Sequence, residues 1–448
     1  GRHSIMVEEK EKPKEKDKED KKEEPKDKNA DAKKDGKEDD KDGKSPVSLP
    51  PKPPQENEKP KEDGKAGLKE LKKGMVVKTA KHAFKIEKLL TNGRYGDVYK
   101  VSLVDKPTEM YAMKTEYDNE ETRKLERLKN ETCALSVING RTRWGSYSDA
   151  KSVKLIDKGM TSTFRFLVTE SVGYSLNAIR NKICKGPIPD DSAIYLMKET
   201  LTVIEYLHGR GMVHRNIKPH NFYVGVGAKE REVFLLDYSI ARKFEDSKGV
   251  FLPPRAKVPF TGTAKYCSRR CQEKKEPTLR DDAEAWAFMC LEFFMDLPWH
   301  SKKDPVQDSK EIHAMKSTLF KQAKAGTSPL AFKNFKVFPE LAHKRDYYAE
   351  ILKEIDGMTI TDYVHKTKIP EIVKELCGGV VNEAKQKELK DKPEMNDAEK
   401  FKFDREFKMP LVWEGKIIPE KTPKKKKSKE KRKDEEEDEE AKRARLAR

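Results

Sequence analysis

Three side chains in this sequence have types and surroundings suited to phosphate chemistry: Lys114, Asn221 and Asp237. Lys114 ends the run YAMK that opens at Tyr111, a short distance after LTNGRYGDVYK, which spans Leu90 to Lys100. Glycines at 93 and 96 let backbone amides approach phosphate oxygens, and a lysine on the next strand can pair with the same anion. The plainer reading of this piece is a hairpin turn beside a solvated lysine. Asn221 follows VHRNIKPH, and Asp237 stands in LLDYSIAR, each on a loop next to a strand. An amide oxygen and a carboxylate oxygen so placed are hard ligands of the kind magnesium takes when it bridges nucleotide phosphates.

The elements that must position these groups fall into two kinds. FKIEKLL, DVYKVSLV, MYAMKTE and FRFLVTE are short strand-like runs punctuated by Asn-Gly and polar turns, all before residue 175. Beyond that point the pattern becomes helical. Ile194, Met197, Leu201, Ile204 and Leu207 form an amphipathic stripe through Ser192 to Arg210, stopped by glycine. Ala285 to Trp299 is the most apolar stretch; Glu292 and Asp296 break it, and it is shorter than the roughly 20 residues a bilayer requires, so it predicts a buried helix and no membrane span. A small β-rich lobe followed by a large helical one is an α+β arrangement that leaves a ligand-binding cleft at the junction.

These strings together resemble a eukaryotic protein kinase domain. IKPxNF, FTGTAKYCS from Phe260 and RDD from Arg280 resemble the casein kinase 1 group, and PPRA before FTGT with DLPW from Asp296 is most like its tau-tubulin kinase branch. The resemblance covers roughly residues 80 to 380 and implies a bilobal kinase fold that uses ATP and magnesium. It implies that Gly93 and Gly96 belong to the phosphate-covering loop, that Val98 lines the nucleotide pocket, and that Lys114 holds the α- and β-phosphates. Glu131 is the best match to that lysine's ion-pair partner, with Glu126 the competing choice. Thr169 matches the gatekeeper, Glu170 and Ser171 the hinge, Asn221 and Asp237 the metal ligands, and Lys218 the catalytic-loop lysine. Asp282 matches the aspartate that anchors the catalytic loop.

Three departures from the family pattern bear on activity. HRD becomes His214-Arg215-Asn216, so the carboxylate that would accept the substrate proton is an amide, which is no base. DFG becomes Asp237-Tyr238-Ser239; tyrosine still fills an apolar site, while serine gives up glycine's backbone freedom. The first loop glycine is Thr91, expected to loosen the cover over the nucleotide. His220 stands near Lys218 as a substitute base or, more plainly, an exposed loop histidine. The resemblance therefore leaves three readings: an ATP- and Mg-binding pseudokinase or strongly impaired kinase acting as scaffold or allosteric partner; a slow serine/threonine kinase; or an interaction protein that binds no nucleotide. Arg255, Lys257, Lys265, Arg269 and Arg270 offer charge for an acidic or phosphorylated protein substrate, or else form a solvated basic loop.

Composition sets the limits of the domain. Only 35% of the 448 residues are hydrophobic and 39% are charged, so much of the chain cannot be core. The net charge of +17 is interleaved with acid, which leaves nucleic-acid binding not indicated. Residues 1–78 are expected to be a disordered Lys/Glu/Pro-rich tail, 79–380 the kinase domain (79–170 and 171–380 its lobes), 381–418 an extension, and 419–448 a second disordered tail. That last tail carries Lys424 to Lys427, of the kind that serves nuclear import, and an acidic block from Asp434 to Glu440. Six cysteines without a CxxC pair argue against a disulfide framework or zinc site and for a reducing compartment. With no secretory leader read in the chain, an intracellular, cytoplasmic or nuclear protein is expected. Residues 1–5 carry no weight, and Met6 offers a native start.

Overall fold

Period-two alternation in the first part of the domain builds one antiparallel sheet. The computed structural model describes residues 71–93, 95–140, 151–301, 308–326, 344–390 and 408–416. Six strands, β1 (Val76–Lys78), β2 (Ala83–Asn92), β3 (Asp97–Leu103), β4 (Met110–Tyr117), β5 (Leu155–Met160) and β6 (Phe164–Glu170), pair in the order β1-β2-β3-β4-β6-β5. Side chains alternate between the two faces of a strand, so register decides what each face carries. Tyr99, Val101, Met113, Phe166 and Val168 join Phe84 and Ile86 in the small-lobe core. On the opposite face Val98 lies across from Lys114, and Ala112 across from Thr169. Directly opposed residues share a face, so one surface presents Val98, Ala112, Lys114 and Thr169 together.

Strand β1 corrects the expected boundary, because it lies inside the 1–78 segment assigned to a tail. Val77 is buried opposite Phe84, and the Leu71 amide donates to the Tyr99 hydroxyl at 3.2 Å. Two valines suffice for a strand when a partner edge is already in place. Residues 1–70 of this expected tail, and the whole of the second, 419–448, lie outside the described residues.

Helix α1 (Glu120–Leu125) opens on a capping box between Asn119 and Thr122. It gives way at Glu126, whose φ of 46° is left-handed, to α2 (Arg127–Ile138). The Leu128 amide donates to the Glu116 carboxylate at 3.0 Å, tying the start of α2 to β4.

The large lobe begins with α3 (Leu176–Ala178) and α4 (Asp190–His208), where the predicted apolar stripe is buried. Strands β7 (Met212–Val213) and β10 (Arg242–Lys243) form one small antiparallel pair, and β8 (Phe222–Val224) and β9 (Val233–Leu235) form another. These pairs bracket the loops that carry Asn216, Asn221 and Asp237. After α5 (Arg269–Gln272), the buried helix α6 (Leu279–Phe294) starts on a second capping box, between Thr278 and Asp281. It is buried nearly all round, with Trp286 and Phe288 fully enclosed by the surrounding helices α4 and α8 (Lys344–Gly357) and by α7 (Ser309–Lys324).

The described parts of the segment expected as an extension, 381–390 and 408–416, belong to this core. Helix α9 (Ile369–Lys390) runs through position 380 along α4, and Met409, Leu411 and Trp413 are buried in the same cluster. Trp413 donates its indole N–H to the Glu230 carbonyl at 3.1 Å, and Arg231 pairs with Glu414 at 2.5 Å. All six cysteines are free thiols, and no described helix is long and apolar enough to cross a membrane.

Candidate active site

Strand β4 delivers Lys114 to a cluster assembled from both lobes. Its Nζ donates to Glu131 of α2 at 2.6 Å and to Asp237 of the loop after β9 at 3.0 Å. Burial opposes the ammonium charge, but Asp237 and Glu131 outweigh it and hold Lys114 well above the usual lysine value. Burial likewise opposes the Asp237 carboxylate, and Lys114 beside it holds that group well below the usual range. Both therefore stay charged at neutral pH. Glu126, the competing partner for Lys114, instead pairs with Lys129 on the surface at 2.7 Å.

Asp237 has a left-handed φ of 65°, strained for a non-glycine residue, which aims its carboxylate back at Lys114. Ser239 is not among the positive-φ residues. The expected cost of losing glycine there is thus absent in this conformation. Tyr238 is buried edge-on to His214, with ring centroids 5.3 Å apart.

The backbone of the loop that opens at His214 is held by the Asp282 carboxylate. Asp282, near the start of α6, accepts the amides of His214 at 2.7 Å and Arg215 at 2.9 Å and contacts His208 Nε2 at 3.1 Å. Burial works against this charge, and the His208 bond and neighbouring histidines outweigh it, keeping the carboxyl below the usual range. Within the loop, Asn221 donates its side-chain N–H to the Asn216 carbonyl at 2.9 Å. Thr263 donates its hydroxyl to Asn216 Oδ1 at 2.8 Å. Lys218 is half-buried and His220 exposed on the same loop.

Over this cluster the β2–β3 hairpin is drawn onto β4. The Tyr117 amide donates to the Tyr95 carbonyl at 2.9 Å, and the Asp97 amide to Thr115 Oγ1 at 3.0 Å. Gly96 is pressed so closely on the Thr115 carbonyl that a Cβ there would overlap it, which explains glycine at this position. The Gly93 amide donates to Asp97 Oδ1 at 3.3 Å, so it faces a carboxylate in this conformation rather than open space. Thr91 is exposed in β2 opposite Val98. Thr169 is buried near the end of β6, followed by Glu170 and Ser171, where the chain crosses to the large lobe. Glu170 faces Lys229 at 3.6 Å.

Four of the five cations expected to attract an acidic substrate are paired internally. Arg255 forks onto Glu276, Lys265 bonds Glu292, Arg269 binds Glu284 and Asp356, and Arg270 lies 3.5 Å from Asp281. Glu276 also takes Arg215 at 3.0 Å and Arg242 at 3.1 Å, a three-arginine clamp that sequence inspection missed. Its partners lie 21 to 61 positions away, a separation with no local signal.

Asp237 and Asn221 supply one carboxylate and one amide oxygen. This fits magnesium, which is usually held by one or two carboxylates with the remainder of its shell from water and nucleotide phosphates. Among the described residues no group of three or more His, Cys, Asp or Glu could hold a metal ion.

A curled antiparallel sheet whose lysine pairs with a helix glutamate, set against a helical lobe whose loop brings an aspartate to the same lysine, is the architecture of a two-lobed phosphoryl-transfer fold. Residues 84–380 match the family model of the protein kinase domain, and the chain belongs to that family. Among curated proteins it is 28% identical over 304 residues to the serine/threonine-protein kinase spe-6 of Caenorhabditis elegans, covering 67% of this chain and 74% of that one. A putative serine/threonine-protein kinase of the same organism is 29% identical over 262 residues, 58% of this chain and 75% of the relative. A putative casein kinase I, also from Caenorhabditis elegans, is 29% identical over 243 residues, 54% of this chain and 67% of the relative.

Proposed function

We propose that this chain is a casein kinase 1-type protein, most like the tau-tubulin kinase branch, that binds ATP with magnesium and acts as a pseudokinase or strongly impaired kinase serving as a scaffold or allosteric partner. One observation carries the reading: Lys114 is joined to both Glu131 and Asp237, while Asn216 presents an amide where a proton acceptor is needed. The nucleotide-binding half is assembled and the base is absent.

In this reading Lys114 holds the α- and β-phosphates, and Lys218 steadies the phosphate to be transferred. Gly93 and Gly96 cover the phosphates, Val98 and Thr169 bound the adenine pocket, and Glu170 with Ser171 form the hinge. Asp237 and Asn221 would hold magnesium, which when bound neutralises phosphate charge. ATP binding would require the hairpin to release the Gly93 amide from Asp97.

A second reading, a slow serine/threonine kinase, is favoured by the intact hold of Asp282 on the catalytic loop. Phosphoryl transfer depends mostly on positioning and charge neutralisation, and loss of a general base lowers the rate by on the order of 10²- to 10⁴-fold, which leaves room for turnover. An acidic or phosphorylated protein substrate remains part of that reading, with Lys257 the cation of the original five that has no carboxylate partner among the described residues. The test is ATP binding by the full chain with and without magnesium, followed by γ-phosphate transfer to casein. Magnesium-dependent binding without transfer supports the first reading, and binding with slow transfer the second. No binding overturns both and leaves an interaction protein.

A further inference from the structure

Lys316, on α7, is fully buried and makes no ion pair with a carboxylate among the described residues. Its Nζ donates to the Ala264 carbonyl at 2.9 Å and the Cys267 carbonyl at 2.6 Å. The ammonium also sits 5.0 Å from the ring centre of Phe288 and 5.4 Å from that of Trp299. Taking an ammonium out of water is strongly unfavourable unless it is hydrogen-bonded, and here two carbonyls and two aromatic faces replace the solvent. Both carbonyls belong to one turn, in which the Tyr266 and Cys267 amides bond back to the Thr263 carbonyl. That turn is also fixed by the Trp299 indole on the Lys265 carbonyl at 2.8 Å and by Ser268 on Asp281 at 2.6 Å. Its first residue, Thr263, is the one that holds Asn216.

We infer that Lys316 is a positioning residue for the acceptor side of the site: its ammonium fixes the 263–267 turn, keeping Thr263 on Asn216, and it acts on the protein acceptor instead of on the nucleotide. The inference rests on the reading of Asn216 as the acceptor-side position. It reaches a residue a hundred positions from the catalytic loop. Nothing in its surroundings along the sequence, SKEIHAMKSTLF, separates it from a surface lysine.

The test is Lys316→Met in the full chain, which keeps an unbranched side chain between the two rings and removes the donations to both carbonyls and the weaker one to Cys267 Sγ. Amide hydrogen exchange at 263–268 should quicken by about tenfold or more, the scale expected when a local turn loses its tether. Exchange at 233–238, and the dissociation constant for ATP with magnesium, should stay within about twofold, as for a site that does not share these contacts. Placed on Asn216→Asp, the same change should raise KM for casein while leaving KM for ATP unchanged. Unchanged exchange at 263–268, or an equal rise throughout α6 and α7, overturns the inference in favour of a purely packing role. Should the methionine variant fail to fold, Lys316→Gln, which keeps one donor group, carries the same comparison and should give a smaller rise. Failure of the unaltered chain to bind ATP would strike the functional reading while leaving the exchange result to be judged alone.

Discussion

Asn216 Oδ1 accepts the Thr263 hydroxyl at 2.8 Å. An aspartate at this position could accept the same bond, so the change from carboxylate to amide leaves the local scaffold intact. What it removes is an anionic oxygen able to take a proton. The Arg215 and His214 amides remain on Asp282, and the Asn216 carbonyl still takes the Asn221 side chain. In the proposed reading, loss of one functional atom inside this loop would separate nucleotide binding from turnover, and each can be measured alone.

Lys114→Met should weaken magnesium-dependent ATP binding by at least about tenfold, the scale of one charge-assisted hydrogen bond. The change also leaves the Asp237 and Glu131 carboxylates facing each other without a cation. Isothermal titration of matched proteins reads the effect, and an equal affinity would sink the assignment of Lys114 to the phosphates.

Asp282→Ala should destabilise the domain by about 2–4 kcal/mol, because two backbone amides and His208 lose their buried acceptor. The same carboxylate predicts an acid limb. Its folded-state pKa is depressed, so in acid the unfolded chain binds the extra proton. The stability it contributes is present above the ordinary aspartate value of about 4 and is lost as pH falls through the folded value. Thermal melts of wild type and variant should therefore converge on acidification; a constant gap would argue against this carboxylate as the source.

Glu205 on α4 should have the opposite sign. Burial pushes its carboxyl up to about 7, and its Oε1 has no hydrogen-bond partner. Between the ordinary glutamate value of about 4.3 and pH 7 the folded state binds the extra proton, so this group lowers stability progressively as pH rises through that window. Glu205→Gln removes the titration. Its melting temperature relative to wild type should climb from pH 5 to pH 8, and a pH-independent difference would refute the idea.

How far these features were legible in the sequence depended on whether the signal was local. The α4 stripe and the four predicted strands announce themselves through periodicity, and Lys114, Asn221 and Asp237 through ordered motifs. Strand β1 is too short to carry a period, and its valines adjoin a lysine-rich run. The backbone conformation of Ser239, which has no positive φ, cannot be read from residue type, which is why the serine looked more damaging than its geometry makes it. Charge pairing is the least legible feature. Arg255, Lys265 and Arg269 read as a basic patch until the fold brings Glu276, Glu292 and Glu284 to them.

Trp413 extends the same point to the end of the domain. Its cluster, MPLVWEG, is a short apolar island that falls beyond the family match, yet Trp413 is fully buried beside Tyr195 and capped by Glu230. Trp413→Ala should lower stability by about 3–5 kcal/mol, as for a large aromatic removed from a packed site. Truncation after residue 407 should do at least as much. Removal of residues 1–70 alone should move the melting temperature by only a few degrees, given how little apolar surface that composition offers.

Asn216→Asp is the sharpest test of the functional reading. The restored carboxylate can keep Thr263 on one oxygen and present the other to an incoming hydroxyl, so the loop need not be rebuilt. If the missing base limits turnover, phosphotransfer to casein should rise by about 10²-fold or more, the lower end of what a positioned base contributes. Adding Ser239→Gly tests a separate idea, that freedom in the activation segment also limits the rate. Since Ser239 carries no positive φ, that second change should add little in the conformation seen here. Asp237→Ala serves as the blank, so that a contaminating kinase is not mistaken for rescue. A wild-type rate near 1 s⁻¹ or above, typical of kinases, would end the pseudokinase reading. If both proteins bind ATP and neither transfers phosphate, the obstacle is the hairpin over the phosphates, where Asp97 engages the Gly93 amide and Gly96 is pressed on β4.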